Sequence, residues 1–480
     1  MKDISVLADF YEMIMGNGYF KAGITGVSTC FDMFFRKVPD NGGYVIAAGL
    51  ETLCEAIDSL SFSEDDIDYL REMGIDSEEY LDFLRNFRFS GDISALPEGT
   101  VAFPNEPIVS VRAPVAEAQL IETLVLCTVN HQSRIATKAS RMVTAADGRP
   151  VAEIGARRAH GIDAAVNGAR AAYIGGCEST SCLPAAKKFG IPVIGTMSHS
   201  WVQLFLSEYE AFRVYCEQNP ERAVLLIDTY NVLHSGIENA IRAFRDVLLP
   251  RGIKNFAVRI DSGDIGFLAK TVRERLDRAG LFDCRIIVSN SLDEFKIKRL
   301  VKDSAPIDVF GVGERLVTAS SDPVLGGVYK LAATEENGIV MPKIKISESP
   351  GKLTVPGIKK IVRYFDRASG TALADELMLA GERLPLERHT IFHPENTWKS
   401  RTLTDFETKE LMIPVYTSGK RVWYPPSLAE VRETAAESLS GMPPEVCRLD
   451  NPTEYCVDFS EKLWTMRRRL TGQRRVGMFR

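Results

Sequence analysis

The chain has 480 residues, 45% hydrophobic and 25% charged, an ordinary globular balance with length enough for two or three domains. A net charge of −6 excludes a global basic field for nucleic acid, and no apolar run approaches a membrane span. Nine cysteines without paired spacings fit reduced thiols, and the start lacks a signal-peptide core, so a cytoplasmic protein is expected.

Residues 1–20 are expected to be helical, with Phe10, Met13 and Ile14 recurring near helical spacing. Residues 21–130 mix short strands with helices. FDMFFRKV (Phe31–Val38) is apolar enough for a strand, and GGYVIAAGLETLCEAI (Gly42–Ile57) reads as a strand then a helix. FSEDDIDYLREMG opens a polar helix with Ser63 as N-cap and Asp66 three residues on.

From about 150 a short apolar run, a Gly or polar tip and a helical pattern recur. The tips are IGARRAHG (from Ile154), YIGGCEST (Tyr173), VIGTMSHS (Val193), LLIDTYN (Leu225), VRIDSGD (Val258), IIVSNSLDE (Ile286) and VFGVGERL (Val309). Capping boxes are expected at Ser235/Glu238 and Ser291/Glu294. Such alternation implies parallel strands with crossover helices, in a doubly wound sheet or a barrel. Polar tips at nearly every strand end favour a barrel, where all tips converge on one mouth. After about 335 the rhythm stops. Met341–Asp366 looks like strands joined by a Gly/Pro turn, and the end is helical with a basic tail, Arg467–Arg475, read as a solvated helix end over an anion site.

Several tips could carry chemistry. Alternation puts Phe256, Val258 and Ile260 toward the helices and Ala257, Arg259 and Asp261 inside the barrel. An inward Arg and Asp form either a structural ion pair or a site for an anion and sugar hydroxyls. Asp228 adds a second inward carboxylate. Gly311 and Gly313 let backbone N–H groups approach a phosphate, or merely make a tight turn. Asn290 and Ser291 open a helix, and Arg157 and Arg158 add positive charge, so together the tips suggest a phosphorylated sugar ligand. His199 could be an acid/base, a nucleophile toward phosphorus, or a satisfied residue near a helix N-terminus. The six histidines form no HxH or HxxxH pair, and Cys177 and Cys182 lack further ligands, so a metal site of side chains is not expected.

In this order the motifs resemble the nicotinate phosphoribosyltransferase family. The resemblance runs from Asp9-Phe10-Tyr11 with Met15, through GARRAHG, GGCESTS, GIPVIGTMSHSW, DTYN, RIDSGD, SNSLDE and FGVGERLVT, to YPPSLAEVRE and LDNPTEYCVDFSEKLW. It implies transfer of phosphoribosyl from phosphoribosyl pyrophosphate to nicotinate in NAD biosynthesis, coupled to ATP hydrolysis through a phosphohistidine at His199. It also implies Arg259 beside the nicotinate carboxylate, and Asp261 and Asp228 near the ribose. Arg157 is placed at the donor's phosphates, and Gly311 and Gly313 at the 5′-phosphate. Ser200 and Asn290 line the substrate, and Mg2+ bridges the pyrophosphate. Tyr11 closes over the pyridine from a neighbouring subunit, which makes a homodimer. Ile154, Asn231 and Ser198 depart from the family pattern, and none removes a group the chemistry needs.

The expected fold is an irregular TIM-like α/β barrel with a second α+β domain built from amino- and carboxy-terminal segments. The boundaries are 1–20 for a helix joining the barrel or dimer interface, 21–130 for the α+β domain, 131–340 for the barrel and 341–480 for the completing segment. Rival readings are a nicotinamide or quinolinate phosphoribosyltransferase, and a non-catalytic barrel that binds without turnover.

Overall fold

The structure is a computed structural model that describes residues 6–347 and 352–477, with side chains to 472. The chain divides into two compact units, Met1–Arg134 with Val324–Arg480, and Ile135–Pro323.

The first unit is α+β and discontinuous in sequence. Its largest sheet has seven strands, in the order Ile339–Pro342, Val328–Glu336, Ser28–Phe34, Val109–Pro114, Asp92–Ala95, Ile413–Thr417 and Lys420–Arg421. All its pairings are antiparallel. A four-stranded sheet takes Phe406–Glu410, Lys359–Asp366, Ala372–Leu379 and Val457–Phe459. The core packs Met33, Phe35, Leu53, Leu81, Val111 and Ile121 from the amino-terminal segment with Ile361, Leu377 and Val415 from the carboxy-terminal one. Two buried ion pairs cross between those segments or stiffen the smaller sheet. Lys359 reaches Asp32 at 2.6 Å, and Arg363 grips Asp375 through two bonds of 2.7 and 2.6 Å.

Local sequence is obeyed at the helix over Glu64–Glu72. Ser63 accepts from the Asp66 N–H while Asp66 accepts from the Ser63 N–H, a reciprocal capping box. The amino-terminal helix runs over Phe10–Lys21, and the first strand is Ser28–Phe34 rather than Phe31–Val38. Residues 1–5 of the expected helix, residues 348–351 of the Met341–Asp366 stretch, and the side chains of Arg474 and Arg475 lie outside the described residues.

The second unit holds six parallel strands: β1 (Val151–Glu153), β2 (Ser179–Thr180), β3 (Val224–Leu226), β4 (Ala257–Ile260), β5 (Arg285–Val288) and β6 (Val309–Val312). Their order is β2-β1-β6-β5-β4-β3. Each neighbour differs by one step around a ring, with β6 beside β1, and no switch point occurs. That is the order of a barrel and not of a doubly wound sheet. A parallel bridge from Thr180 to Val193 extends the ring by one residue. Beyond it, no ladder joins Val193 to β3 among the described residues, so the sheet is curled and open at that seam.

The inside of the curl is layered. Ala152, Ala257, Ile287 and Val309 form a buried cluster, with Ile194 and Val224 packed against it. Each of β1, β3, β4, β5 and β6 supplies one residue, and the seam segment supplies Ile194. Because strand side chains alternate, the residues two positions further on form the next layer toward the strand C-termini. From β1, the seam, β4, β5 and β6 these are Ile154, Thr196, Arg259, Ser289 and Gly311.

Two helix starts differ from expectation. Ahead of the helix over Ile237–Ala243, the chain turns through a π-helical segment, Val232–Gly236, capped by Asn231, whose side chain accepts from the Leu233 and His234 N–H groups. The Ser235 hydroxyl instead bonds back to the Asn231 carbonyl. The helix over Glu294–Lys302 is capped by Asp293, which accepts from the Lys296 N–H. Glu294 is drawn inward as the anion of a buried cluster, 2.8 Å from Lys138 and 3.0 Å from Arg141. Tertiary pairing outweighs the local box in that case, because a carboxylate buried with two cations cannot also swing back to the chain.

Candidate active site

Arg259, at the end of β4, is the centre of the layer above the apolar one. Its Nε donates to Ser289 Oγ at 3.0 Å, its Nη1 to Thr196 Oγ1 at 3.2 Å and its Nη2 to Asp261 Oδ2 at 3.2 Å. Ser289 is buried and donates in turn to Asp261 Oδ1 at 2.5 Å. Asp228 joins from the tip after β3: its Oδ2 accepts from the Asp261 N–H at 3.2 Å and from the Ser262 hydroxyl at 2.6 Å. Asp228 Oδ1 is buried and has no hydrogen-bond partner among the described residues. Arg259, Asp261 and Asp228 are thus brought together. A guanidinium has five N–H donors. Three are engaged by these partners, which leaves two for an incoming carboxylate.

His199 is the first residue of the short helix His199–Gln203, at the open seam. Its Nδ1 lies 3.1 Å from Thr229 Oγ1, next in sequence to Asp228. Ser200 follows it, with Ser200 Oγ 2.7 Å from Ser198 Oγ. The histidine is exposed, and it stands at a helix N-terminus with Thr229 as its partner.

The glycines sit where bulk would intrude. A Cβ on Gly155 would lie 2.8 Å from the Gly313 carbonyl, and one on Gly311 would lie 3.0 Å from the tip of Ile154 and 3.4 Å from Ser289 Cβ. The β1 and β6 tips therefore approach backbone to backbone. Glu153, buried at the same end of β1, accepts from Thr180 Oγ1 at 2.5 Å and from the Gly155 N–H, and burial raises its pKa. Asn290 and Ser291 do not open the next helix. Both have positive φ, 95° and 49°, a conformation costly for residues with a Cβ. The Asn290 carbonyl accepts from Lys296 Nζ at 3.2 Å.

Arg157 lies on the 3-10 turn Ala156–Arg158, exposed and without a side-chain partner among the described residues. Arg158 approaches Glu314 at 3.8 Å, and both line a cavity with His160, Thr318, Ser320 and Pro323. Tyr11 belongs to the other unit. It lies on an exposed face of the helix Phe10–Lys21, where desolvation and then the Glu122 carboxylate raise its phenol pKa.

Three contributors escaped the motif reading: Ser289, Thr196 and Thr229. The first two were within reach of it. The alternation that places Arg259 inside also places Ser289 two residues beyond Ile287 and Thr196 two beyond Ile194. Thr229 carries no such signal, because its partner lies on another tip.

Comparison with known proteins gives the family. The models for the nicotinate phosphoribosyltransferase (NAPRTase) N-terminal domain, the NAPRTase family and the NAPRTase C-terminal domain match residues 6–130, 150–365 and 358–467. The nicotinate phosphoribosyltransferase of Bacillus subtilis (strain 168) is 40% identical over 464 residues, covering 96% of this chain and 94% of that protein. The chain belongs to the nicotinate phosphoribosyltransferase family. Among solved structures, human nicotinic acid phosphoribosyltransferase superposes with a TM-score of 0.84 at 29% identity, covering 97% of this chain and 100% of the human one. The nicotinate-nucleotide pyrophosphorylase from Pyrococcus furiosus shares the fold, with a TM-score of 0.68 at 24% identity, over 90% of this chain and 94% of its own. The barrel-like unit and the discontinuous α+β unit are therefore the architecture of a nicotinate phosphoribosyltransferase family member. No described helix is long and apolar enough to cross a membrane.

Proposed function

We propose that the chain is a nicotinate phosphoribosyltransferase that forms nicotinate mononucleotide and pyrophosphate from nicotinate and phosphoribosyl pyrophosphate, with ATP as a coupled co-substrate. The observation that carries this reading is the hydrogen-bonded set of Arg259, Asp261 and Asp228 at the C-terminal mouth of the parallel strands.

The pyridine nitrogen supplies its lone pair to the anomeric carbon, and the bond from that carbon to pyrophosphate breaks with its electron pair leaving on oxygen. The nucleophile needs no deprotonation, so the protein's task is placement and charge stabilisation. Arg259 has two N–H groups left to hold the nicotinate carboxylate. Asp261 and Asp228 face the ribose, where an oxocarbenium-like charge develops. The Gly311 and Gly313 tips admit the 5′-phosphate close to backbone. Arg157, without a side-chain partner among the described residues, is free for the donor's phosphates, and Ser200 and Asn290 line the same mouth. Tyr11 covers the pyridine across a homodimer interface.

No group of three or more His, Cys, Asp or Glu side chains that could hold a metal occurs among the described residues. The unpartnered Asp228 Oδ1 still fits a magnesium ion that takes its remaining ligands from pyrophosphate and water. Bound there, the ion would neutralise charge on the leaving group.

His199 accepts the γ-phosphoryl group of ATP on a ring nitrogen, ADP leaves, and water later releases phosphate from the phosphohistidine. Its exposure and its place at the open seam support this role. The test is pyrophosphate release with magnesium and phosphoribosyl pyrophosphate, with and without ATP, for wild type and His199→Ala. Nicotinate, nicotinamide and quinolinate are compared in parallel. ATP is expected to raise turnover with nicotinate only when His199 is present. Equal stimulation of both proteins would remove His199 from the coupling, and turnover only with another pyridine would overturn the substrate.

A further inference from the structure

We infer that Thr196 is a positioning residue that links the pyridine-carboxylate site to the His199 loop, so that occupancy at Arg259 and the conformation of that loop are coupled. The inference rests on the reading above, in which Arg259 binds nicotinate and His199 takes phosphate from ATP.

Three observations carry it. First, Thr196 Oγ1 accepts from Arg259 Nη1 at 3.2 Å and donates its one proton to the Met197 carbonyl at 3.1 Å. With its proton committed to the loop's own backbone, the hydroxyl meets Arg259 only as an acceptor. Movement of the guanidinium is therefore passed to the peptide of Met197. Second, Met197 is buried, at 6% exposure, and His199 follows two residues later as the first residue of its helix. A shift at Thr196 has a short, anchored path to His199. Third, this segment lies at the seam, where the bridge at Val193 is its last ladder contact. The loop is thus held less by sheet pairing than the other tips, and a side-chain tie to Arg259 has correspondingly more effect.

A carboxylate held by the two remaining N–H groups of Arg259 draws the guanidinium toward itself, and the three present partners must follow it or let go. The Ser289 and Asp261 contacts come from the residues that directly follow β5 and β4, and the Ser289 N–H still donates to the Ile260 carbonyl at 3.0 Å. The Thr196 contact is the one that reaches the unpaired seam. Coupling of this kind is reciprocal: what nicotinate does to the loop, phosphorylation of the loop does to nicotinate affinity, by the same factor. A second route, from the Asp261 N–H to Asp228 and its neighbour Thr229 at His199, is left intact by changes at Thr196.

The experiment compares wild type, Thr196→Val and Thr196→Ser as full-length proteins. Amide hydrogen exchange over residues 197–206 is followed with and without saturating nicotinate, and calorimetry measures nicotinate binding. In wild type and Thr196→Ser, nicotinate is expected to slow exchange across this stretch. In Thr196→Val, nicotinate is expected to slow exchange much less than in wild type although the ligand still binds, because only the Asp228–Thr229 route remains. The ratio of turnover with ATP to turnover without it is expected to fall by at least about fivefold in Thr196→Val and to recover in Thr196→Ser. Full protection of the loop in Thr196→Val, or an unchanged ratio, overturns the inference and leaves the proposed function standing. A parallel loss of turnover with and without ATP also overturns it, since Thr196 would then only hold Arg259. Failure of wild type to bind nicotinate overturns the functional reading and this inference together.

Discussion

Removing the Ser289 hydroxyl tests how the site is held. Ser289 is 1% exposed, accepts from Arg259 Nε at 3.0 Å and donates to Asp261 Oδ1 at 2.5 Å. Ser289→Ala takes one partner from each of two charged groups and leaves both in place. A hydrogen bond to a charged group contributes about 1.5–3 kcal/mol. The side chains of Arg259 and Asp261 are 16% and 33% exposed, so water replaces part of what is lost. A net cost of about 2 kcal/mol in the transition state is expected, or roughly 30-fold in kcat/KM for nicotinate. Initial rates of pyrophosphate release measure it, with a thermal melt to show that the variant folds. A kcat/KM within threefold of wild type in a folded variant would refute the argument that this hydroxyl aligns the pair.

Arg259→Gln removes the cation from the carboxylate site while keeping polar atoms. Nicotinate kcat/KM should fall by roughly 100-fold and that for nicotinamide, which has no carboxylate, by far less; equal losses would show that Arg259 does not read the carboxylate. Glu294→Gln takes a buried carboxylate away from Lys138 and Arg141, and denaturant unfolding should show a loss of about 3–5 kcal/mol. A loss below about 1 kcal/mol would mean that the cluster relaxes toward water. Glu12 is buried, which raises its pKa to about 7, and the Thr123 hydroxyl offsets part of the shift. The folded state then holds a proton that the unfolded chain releases from about pH 4.5 upward, so stability falls as pH rises toward 7 and stays at the lower level above it. Glu12→Gln abolishes this slope, and the Tm advantage of the variant should widen by a few degrees between pH 5 and pH 8; a gap constant across that range would contradict the assignment.

Local sequence determined much of this protein. The recurring apolar run, polar tip and helix specify parallel strands, because each crossover must return the chain to the same end of the sheet. Alternation places Arg259 and Asp261 on the inner side of β4, and the same period reaches Ser289 and Thr196. Ser63 and Asp66 cap their helix from within a few residues. Tertiary structure decided what those periods cannot encode. It pairs Asp92–Ala95 with Ile413–Thr417, more than 300 residues apart, and it turns Glu294 from its expected box to Lys138 and Arg141. It also opens the ring at one seam and sets His199 beside Thr229 there. The division has one physical cause. Alternation and capping act between neighbours in sequence, where backbone geometry alone fixes the distance. Strand order, register and buried charge pairing depend on which distant segments meet, and that is settled only when their surfaces are buried together.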